Sequence, residues 1–233
     1  RVTFVEGSRR VSAATWNMAA INNNPFEYWI TYEGEGSEAY GALMNSISDF
    51  LSRPGDKDVL VSTIFTDDMF EILLDQLPFD GLEEVREHWK KLRERKIVEG
   101  VLKDASLGAK RLMSMPDRVT NTIRLVDGTS AMRPTVINCY EEDLDNLEVW
   151  WKRWQTFMFD TPLKVDEDEP KTPVNMLAPI LRSKYKEVTE EEEQISQPLS
   201  AVCLAIFDAI LVHIVNQVSD SGGDIRKAMC LAL

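Results

Sequence analysis

Side chains able to hold a metal ion stand close together near the start of the chain. Residues 11–19 have the composition of a short β-strand that ends at Asn17. A side-chain amide oxygen is a hard ligand suited to Mg²⁺, and the end of a strand holds such a ligand rigidly. The polar residues that follow could line the same rim or form a capped turn; they are Asn22, Asn23, Asn24 and Glu27.

The tripeptide Thr15-Trp16-Asn17 at the end of that segment resembles the first strand of the endonuclease/exonuclease/phosphatase hydrolases. The resemblance implies that Asn17 reaches a divalent-metal site, with Mg²⁺ as the cofactor, at the top of a β-sandwich. It also implies phosphoester hydrolysis, in which Mg²⁺ polarises a phosphoryl oxygen and a positioned base activates water.

The other residues that this family needs have no counterpart in the sequence. A Gln-Glu pair does not occur, and neither of the two histidines, His88 and His213, follows an Asp. We therefore expect the N-terminal fragment of a Mg²⁺-dependent phosphoesterase-like protein, carrying a large helical insertion and not catalytically complete by itself. The alternative is a non-enzymatic acidic helical scaffold or a subunit of a larger assembly.

Other ionisable or aromatic residues have simpler structural interpretations. His213 lies in an apolar stretch, which is typical of a core histidine. Asp208 lies in the same stretch and needs a partner to stay charged, so we expect an ion pair with Arg or Lys. Three tryptophans at helical spacing predict a core face or a contact with a protein partner; they are Trp150, Trp151 and Trp154.

Composition excludes several classes of protein. The formal net charge is −13, from 39 acidic against 26 basic residues, which argues against non-specific binding to nucleic acid. The three cysteines are widely spaced, which excludes a disulfide scaffold and favours a soluble protein of a reducing compartment. The longest apolar run, residues 199–215, contains Asp208 and is shorter than the roughly 20 residues of a membrane-spanning helix, so it predicts a buried core helix with no transmembrane segment.

Apolar spacing and capping residues predict mostly helices after a β-rich start at residues 1–32. Ser37 is a predicted N-cap, Thr66 is a second, and Thr189 with Glu192 has the spacing of a capping box that opens the longest helix. The first predicted helix begins at Ser37 and is stopped by Pro54-Gly55; the others cover residues 66–77, 81–103, 145–159 and 189–218, with a last one from Asp224. Residues 119–126 and 135–140 predict a β-hairpin around Asp127-Gly128.

These elements predict an α+β fold that is mainly α-helical with a small β component. We expect one domain over residues 1–233, mostly helical from residue 37, and we expect the chain to be the N-terminal part of a longer one.

Overall fold

The computed structural model describes residues 24–26 and 32–232. The fold is mainly α-helical with a small β component, as predicted. The β-rich start predicted for residues 1–32 falls almost wholly outside the described residues, and Asn17 lies there with it.

The order of elements follows the chain from Ser37 to Ala232. The α-helices are α1 (Ser37–Ser52), α2 (Val61–Ile64), α3 (Asp67–Gln76), α4 (Leu82–Leu92), α5 (Ala105–Lys110), α6 (Ser114–Thr120), α7 (Leu147–Gln155), α8 (Glu190–Gln194), α9 (Ser196–Val218) and α10 (Gly222–Ala232). Two π-helical segments cover Ile97–Leu102 and Thr156–Asp160, and two 3₁₀ turns cover Gly55–Lys57 and Pro173–Met176. Strands β1 (Thr122–Arg124) and β2 (Ser130–Met132) form an antiparallel hairpin.

Helix α9 is the centre of the fold. Helices α1, α2, α4, α6, α7, α8 and α10 all contact it. Its apolar residues lie all round the helix, so burial from every side is the arrangement that removes them from water. At 23 residues it is longer than the predicted run, and by length and composition alone it could cross a membrane. Of its most apolar window 89% is buried by the rest of the protein, which is how a core helix packs.

The caps predicted at Thr66 and Thr189 are confirmed, whereas the one at Ser37 is wrong by one position. The Thr66 hydroxyl accepts the Met69 amide, and Thr189 and Glu192 form both bonds of the capping box. Gly36, with φ of 85°, occupies the N-cap position before α1, and Ser37 is the first helical residue. The capping box opens the short helix α8, because the chain leaves helical geometry at Ile195 before α9 begins.

The single helix predicted over residues 81–103 is wrong. Helix α4 ends at Leu92, and the backbone turns before the π-helical segment begins at Ile97. A bridge between Leu60 and Lys96 and two bonds from the Asp58 carboxylate, which accepts the amides of Val98 (2.8 Å) and Glu99 (3.2 Å), hold this turn. Contacts from about 40 positions earlier therefore override the local helical preference.

The predicted hairpin forms around Asp127-Gly128 with different strands. Its first strand is β1, whereas Val119 lies in α6, and its second strand is β2, which ends before Arg133. In place of the predicted strand at residues 135–140, residues 136–139 form a turn, and the Asn138 side-chain amide donates to the carbonyls of Asn121 (2.9 Å) and Arg133 (2.8 Å).

Candidate binding site

The predicted metal ligand lies where the structure gives no information. Asn17 is outside the described residues, and so are Asn22, Asn23 and Glu27. Asn24 is described, and its side-chain oxygen accepts the amide of Phe26 at 3.0 Å, which is the geometry of a capped turn. Within residues 24–26 and 32–232, no three His, Cys, Asp or Glu side chains are grouped to hold a metal ion. The Mg²⁺ site remains a prediction.

The prediction that Asp208 pairs with a basic residue is confirmed. Asp208 is fully buried on α9, and its partner is the equally buried Arg133, which follows β2. Arg133 donates from Nε to Oδ2 at 2.7 Å and from Nη2 to Oδ1 at 3.1 Å. Two parallel bonds between a guanidinium and a carboxylate fix both distance and orientation.

The remaining donors of Arg133 bind helix α6. Nη2 donates to the Asp117 carboxylate and Nη1 to the Thr120 hydroxyl, both at 2.6 Å. Desolvation by burial acts to lower the pKa of Arg133, but the attraction of Asp208 and then Asp117 outweighs it, so the pKa lies above its ordinary value. The network therefore ties α6 to α9 through a guanidinium that stays charged.

The tryptophans of α7 complete this network and form part of the core. Trp154 donates from Nε1 to Asp208 at 2.9 Å, and Trp150 donates to the carbonyl of Pro134 at 3.0 Å. Trp151 stacks on Trp154 with ring centroids 5.5 Å apart. All three side chains are buried, which accounts for them as core residues and leaves little indole surface exposed. A partner contact through this helix stays a prediction.

His213 lies on α9 and is only partly buried, so the prediction of a core histidine is confirmed only in part. Its Nε2 is buried and has no hydrogen-bond partner among the described residues. Burial lowers the pKa of His213, so the ring is neutral at physiological pH. A partly buried, neutral ring whose Nε2 has no partner among the described residues is suited to packing.

An apolar pocket lies beside α6. No residue that the sequence marked as a candidate ligand lines it. Its volume is about 150 Å³. Met115, Pro116 and Val119 of α6 form one wall, Ser200 of α9 lies at the base, and the loop at residues 177–185 forms the opposite wall. Val119 and Leu181 stand at the mouth and are 37% and 41% exposed. The arrangement suits the burial of a small apolar group.

Hydrogen bonds to the start of α9 and to α8 hold the loop wall of this pocket. The Ile180 amide donates to the Ser196 hydroxyl at 3.0 Å, and the Gln197 amide group donates to the carbonyl of Leu177 at 2.8 Å. The Arg182 amide donates to the Glu193 carboxylate at 2.8 Å. The opposite wall is held by the Arg133 bonds to α6. Both walls are therefore fixed before any ligand arrives.

A second, more open concavity of about 320 Å³ lies beside α7. Its lining includes Tyr140, Glu142 and Arg153. Arg153 already forms an ion pair with Glu142 and donates to the Tyr140 hydroxyl at 3.5 Å. Lys152, which also lines it, pairs with Glu148 outside it, so each charged group of this concavity already has a partner and the apolar pocket is the better candidate for binding.

The sequence contained one signal for the pocket. Leu177, Ile180 and Leu181 are large apolar residues within a stretch that Pro179 keeps from being a helix. An apolar cluster in a loop indicates that the loop packs on the body of the protein. The opposite wall could not be inferred, because α6 lies more than 50 positions earlier in the chain.

Comparison with known proteins yields one match. The family model described as "Domain of unknown function (DUF8234)" matches residues 58–227. Neither the curated proteins nor the solved structures contain a match to the chain. The matched region includes the Arg133 network and the whole apolar pocket, and it begins well after Asn17.

Proposed function

Because the chain belongs to the DUF8234 family, a domain of unknown function, we propose its function from geometry: the helical part is a non-enzymatic interaction module. The module takes one apolar side chain of a protein partner into the pocket between α6 and the loop at residues 177–185. The observation that carries this proposal is the pocket itself, which is apolar inside, open at a mouth formed by Val119 and Leu181, and held on both walls.

The size of the pocket supports a side chain as the ligand. A cavity of about 150 Å³ accommodates one benzene-sized group. Most small-molecule sites are larger, at roughly 300–1,000 Å³. A single Leu, Ile, Met or Phe anchored in a preformed pocket is a common centre of a protein interface.

The use of the buried charges also supports a binding module. Asp208, Arg133 and Asp117 satisfy one another across three elements, so their role is to hold the helices in place. The same ion pairs fix α6, which is a wall of the pocket. The buried ion pairs therefore hold one wall of the pocket in place.

The experiment is an NMR titration of the labelled protein with N-acetyl-leucine amide. We expect amide shifts confined to α6, residues 177–185 and the first turns of α9. Val119→Asp at the mouth should abolish them. Val126→Asp, at a residue of similar exposure (46%) that does not line the pocket, should leave them unchanged. Shifts spread over the surface, or shifts that persist in Val119→Asp, would contradict the proposal.

A second candidate function is the fragment of a Mg²⁺-dependent phosphoesterase-like protein, in which the helical part is an insertion. Its support is the Thr15-Trp16-Asn17 segment, with Asn17 as the metal-site residue. The segment lies outside residues 58–227, so family membership is compatible with it. Such a fragment has Asn17 but no base, so the chain alone should not hydrolyse phosphodiesters.

The test of this second candidate is the coding sequence beyond Leu233. An apolar strand that ends in Gln-Glu would support the phosphoesterase, and a stop codon or an unrelated domain would contradict it. Hydrolysis of a phosphodiester by the present chain with Mg²⁺, lost in Asn17→Ala, would show instead that the chain is catalytically complete.

A further inference from the structure

We propose that Cys139 and Cys230 are a dithiol pair, which a low-molecular-weight disulfide such as glutathione disulfide oxidises reversibly to an intramolecular disulfide bond. Both cysteines are free thiols in the structure. The bond joins the turn at residues 136–139 to helix α10. Neither cysteine lines the apolar pocket, so this modification site is separate from the proposed binding function.

The two thiols meet in a small cluster of side chains near the end of α10. Cys139 packs against a buried group that consists of Tyr40, Met229 and Cys230. The Sγ atom of Cys230 donates at 3.6 Å to the carbonyl oxygen of Asn138, which belongs to the peptide bond that enters Cys139. A side-chain hydrogen bond also joins the two thiols. The fold therefore gives two residues that are far apart in the chain the close approach that a disulfide requires.

Hydrogen bonds hold the backbone on both sides of the pair. The Asn138 side chain donates to the carbonyl of Arg133 at 2.8 Å and accepts the amide of Tyr140 at 3.0 Å, so the turn that carries Cys139 is fixed. On α10, Arg226 donates to the carbonyl of Tyr140. The helix is thus bonded to the residue directly after Cys139. A disulfide here closes with little movement of the backbone, which keeps the strain in the bond small.

The exposure of the two thiols divides the reaction between them. Cys139 is partly exposed, whereas Cys230 is 4% exposed. Burial raises the pKa of Cys230 to about 11, although the Arg226 guanidinium, whose Nη1 lies 3.6 Å from the sulfur, acts to lower it. The thiolate is the nucleophile of thiol–disulfide exchange, and it must reach its target. Cys139 is therefore the thiol that attacks the small disulfide, and Cys230 closes the bond.

The reaction consists of two exchanges. In the first, the Cys139 thiolate attacks one sulfur of glutathione disulfide, the S–S bond of glutathione breaks, and a mixed disulfide and one glutathione thiolate form. In the second, Cys230 gives up its proton to water, its sulfur attacks the Sγ atom of Cys139, and the second glutathione leaves as a thiolate. Both leaving thiolates take up a proton from water. Two cysteine thiols are thereby oxidised by two electrons, and one glutathione disulfide is reduced to two thiols.

The bond changes how the last helix is attached. In the reduced protein, α10 packs on α1 and α9, and its polar attachments to the chain after Cys139 include the Arg226 bonds and an ion pair between Lys227 and Asp143. Such contacts open and close locally. A covalent bond to Cys139 prevents α10 from separating from that segment. We therefore expect the backbone amides of α10 to exchange their hydrogens more slowly in the oxidised protein.

The experiment equilibrates the whole chain with mixtures of reduced and oxidised glutathione. The remaining thiols are then blocked with N-ethylmaleimide under denaturing conditions, and the peptides are mapped by mass spectrometry. In the most oxidising mixture we expect Cys203 alone to be blocked, and the peptides that contain Cys139 and Cys230 to be linked to each other. Treatment with dithiothreitol before blocking should leave all three cysteines blocked.

Serine variants separate the two steps. Cys230→Ser should stop at the mixed disulfide, with glutathione on Cys139. Cys139→Ser should take up no glutathione, because Cys230 is buried. Cys203→Ser is the matched control at a buried cysteine of α9, and it should form the disulfide as the wild type does. Circular dichroism checks that each variant is folded, and Cys139→Ser, at a partly exposed turn position, keeps the test valid if Cys230→Ser does not fold.

Three results would overturn the proposal. The first is a wild-type chain whose three cysteines all remain reactive in the most oxidising mixture. The second is glutathione that stays on Cys139 in the wild type with no bond to Cys230. The third is a disulfide between two copies of the chain, which electrophoresis without a reducing agent detects.

Discussion

Two fully buried arginines, Arg133 and Arg226, are held in different ways. Arg133 donates to the carboxylates of Asp208 and Asp117. Arg226, on α10, donates to the backbone carbonyls of Tyr140 and Glu142, the latter at 2.7 Å. The Nε of Arg226 has no partner among the described residues, whereas the Nε of Arg133 donates to Asp208.

The pKa values of the two guanidinium groups follow this difference. Burial lowers the pKa of Arg226, and the weaker attraction of Asp143 and Asp145 does not reverse the effect. At Arg133, the attraction of two carboxylates outweighs burial. The comparison teaches that the fully buried Arg133–Asp208 ion pair joins α9 to α6 and α7, and α6 also lines the pocket. The protein uses a guanidinium bound to carbonyls to attach the last helix.

The largest expected effect comes from removing the paired arginine. Arg133→Met leaves the Asp208 carboxyl, whose pKa burial raises, in the core without its cation, so it should lower the free energy of unfolding by about 3–5 kcal/mol, measured by urea denaturation. The double variant Arg133→Met with Asp208→Leu removes both charges and should recover much of this loss. A double variant no more stable than Arg133→Met would show that lost packing, and not the unpaired carboxylate, causes the effect.

Removing the other arginine should cost less. Arg226→Met leaves two carbonyl oxygens without a donor, and water can reach the one at the exposed Glu142, so we expect a loss of about 1–3 kcal/mol. Because Arg226 has no contact with α6, binding of N-acetyl-leucine amide should be unchanged. A loss equal to that of Arg133→Met would remove the distinction between the two arginines.

The smallest expected effect concerns the buried Nε2 of His213, which has no hydrogen-bond partner in the part of the chain that the structure describes. Burial lowers the pKa of His213, so the folded protein keeps the ring neutral while the unfolded chain takes up a proton below about pH 6.5. Stability from this residue is therefore present above pH 6.5 and is lost as the pH falls. His213→Leu should make the slope of stability against pH shallower, by less than about 1.4 kcal/mol per pH unit.

His88 is the matched control for that prediction. Burial also lowers the pKa of His88, but the carboxylate of Glu192 opposes the effect. His88→Leu should therefore change the slope of stability against pH by less than His213→Leu does. An identical slope in the wild type and in His213→Leu, from urea denaturation between pH 5.5 and about 7.5, would contradict the lowered pKa.

The sequence predicted interactions between residues a few positions apart, and it could not identify partners that lie far apart in the chain. The caps at Thr66 and Thr189 involve neighbours three positions away, so local spacing was enough. The need of Asp208 for a base followed from its apolar surroundings, but the identity of that base did not, because Arg133 lies 75 positions away.

The parts that were wrong or missed depend on distant contacts. The turn after α4 is held by the amides of Val61 and Ser62, which donate to the carbonyls of Arg95 and Arg93, and Asn138 closes the turn after β2. The pocket combines α6, the loop at residues 177–185 and Ser200, which no pattern within one segment could bring together. Asn17 remains a prediction from the strand it ends.

The central claim is that the pocket receives one apolar side chain, and nuclear Overhauser effects between a bound ligand and the protein test it most directly. In the complex with N-acetyl-leucine amide, we predict cross-peaks from the leucine methyl groups of the ligand to the methyl groups of Val119, Ile180 and Leu181. Two results would contradict the account: cross-peaks from the leucine methyl groups of the ligand to the concavity around Tyr140 and Phe157, or no cross-peak from them to a methyl group of α6 and residues 177–185.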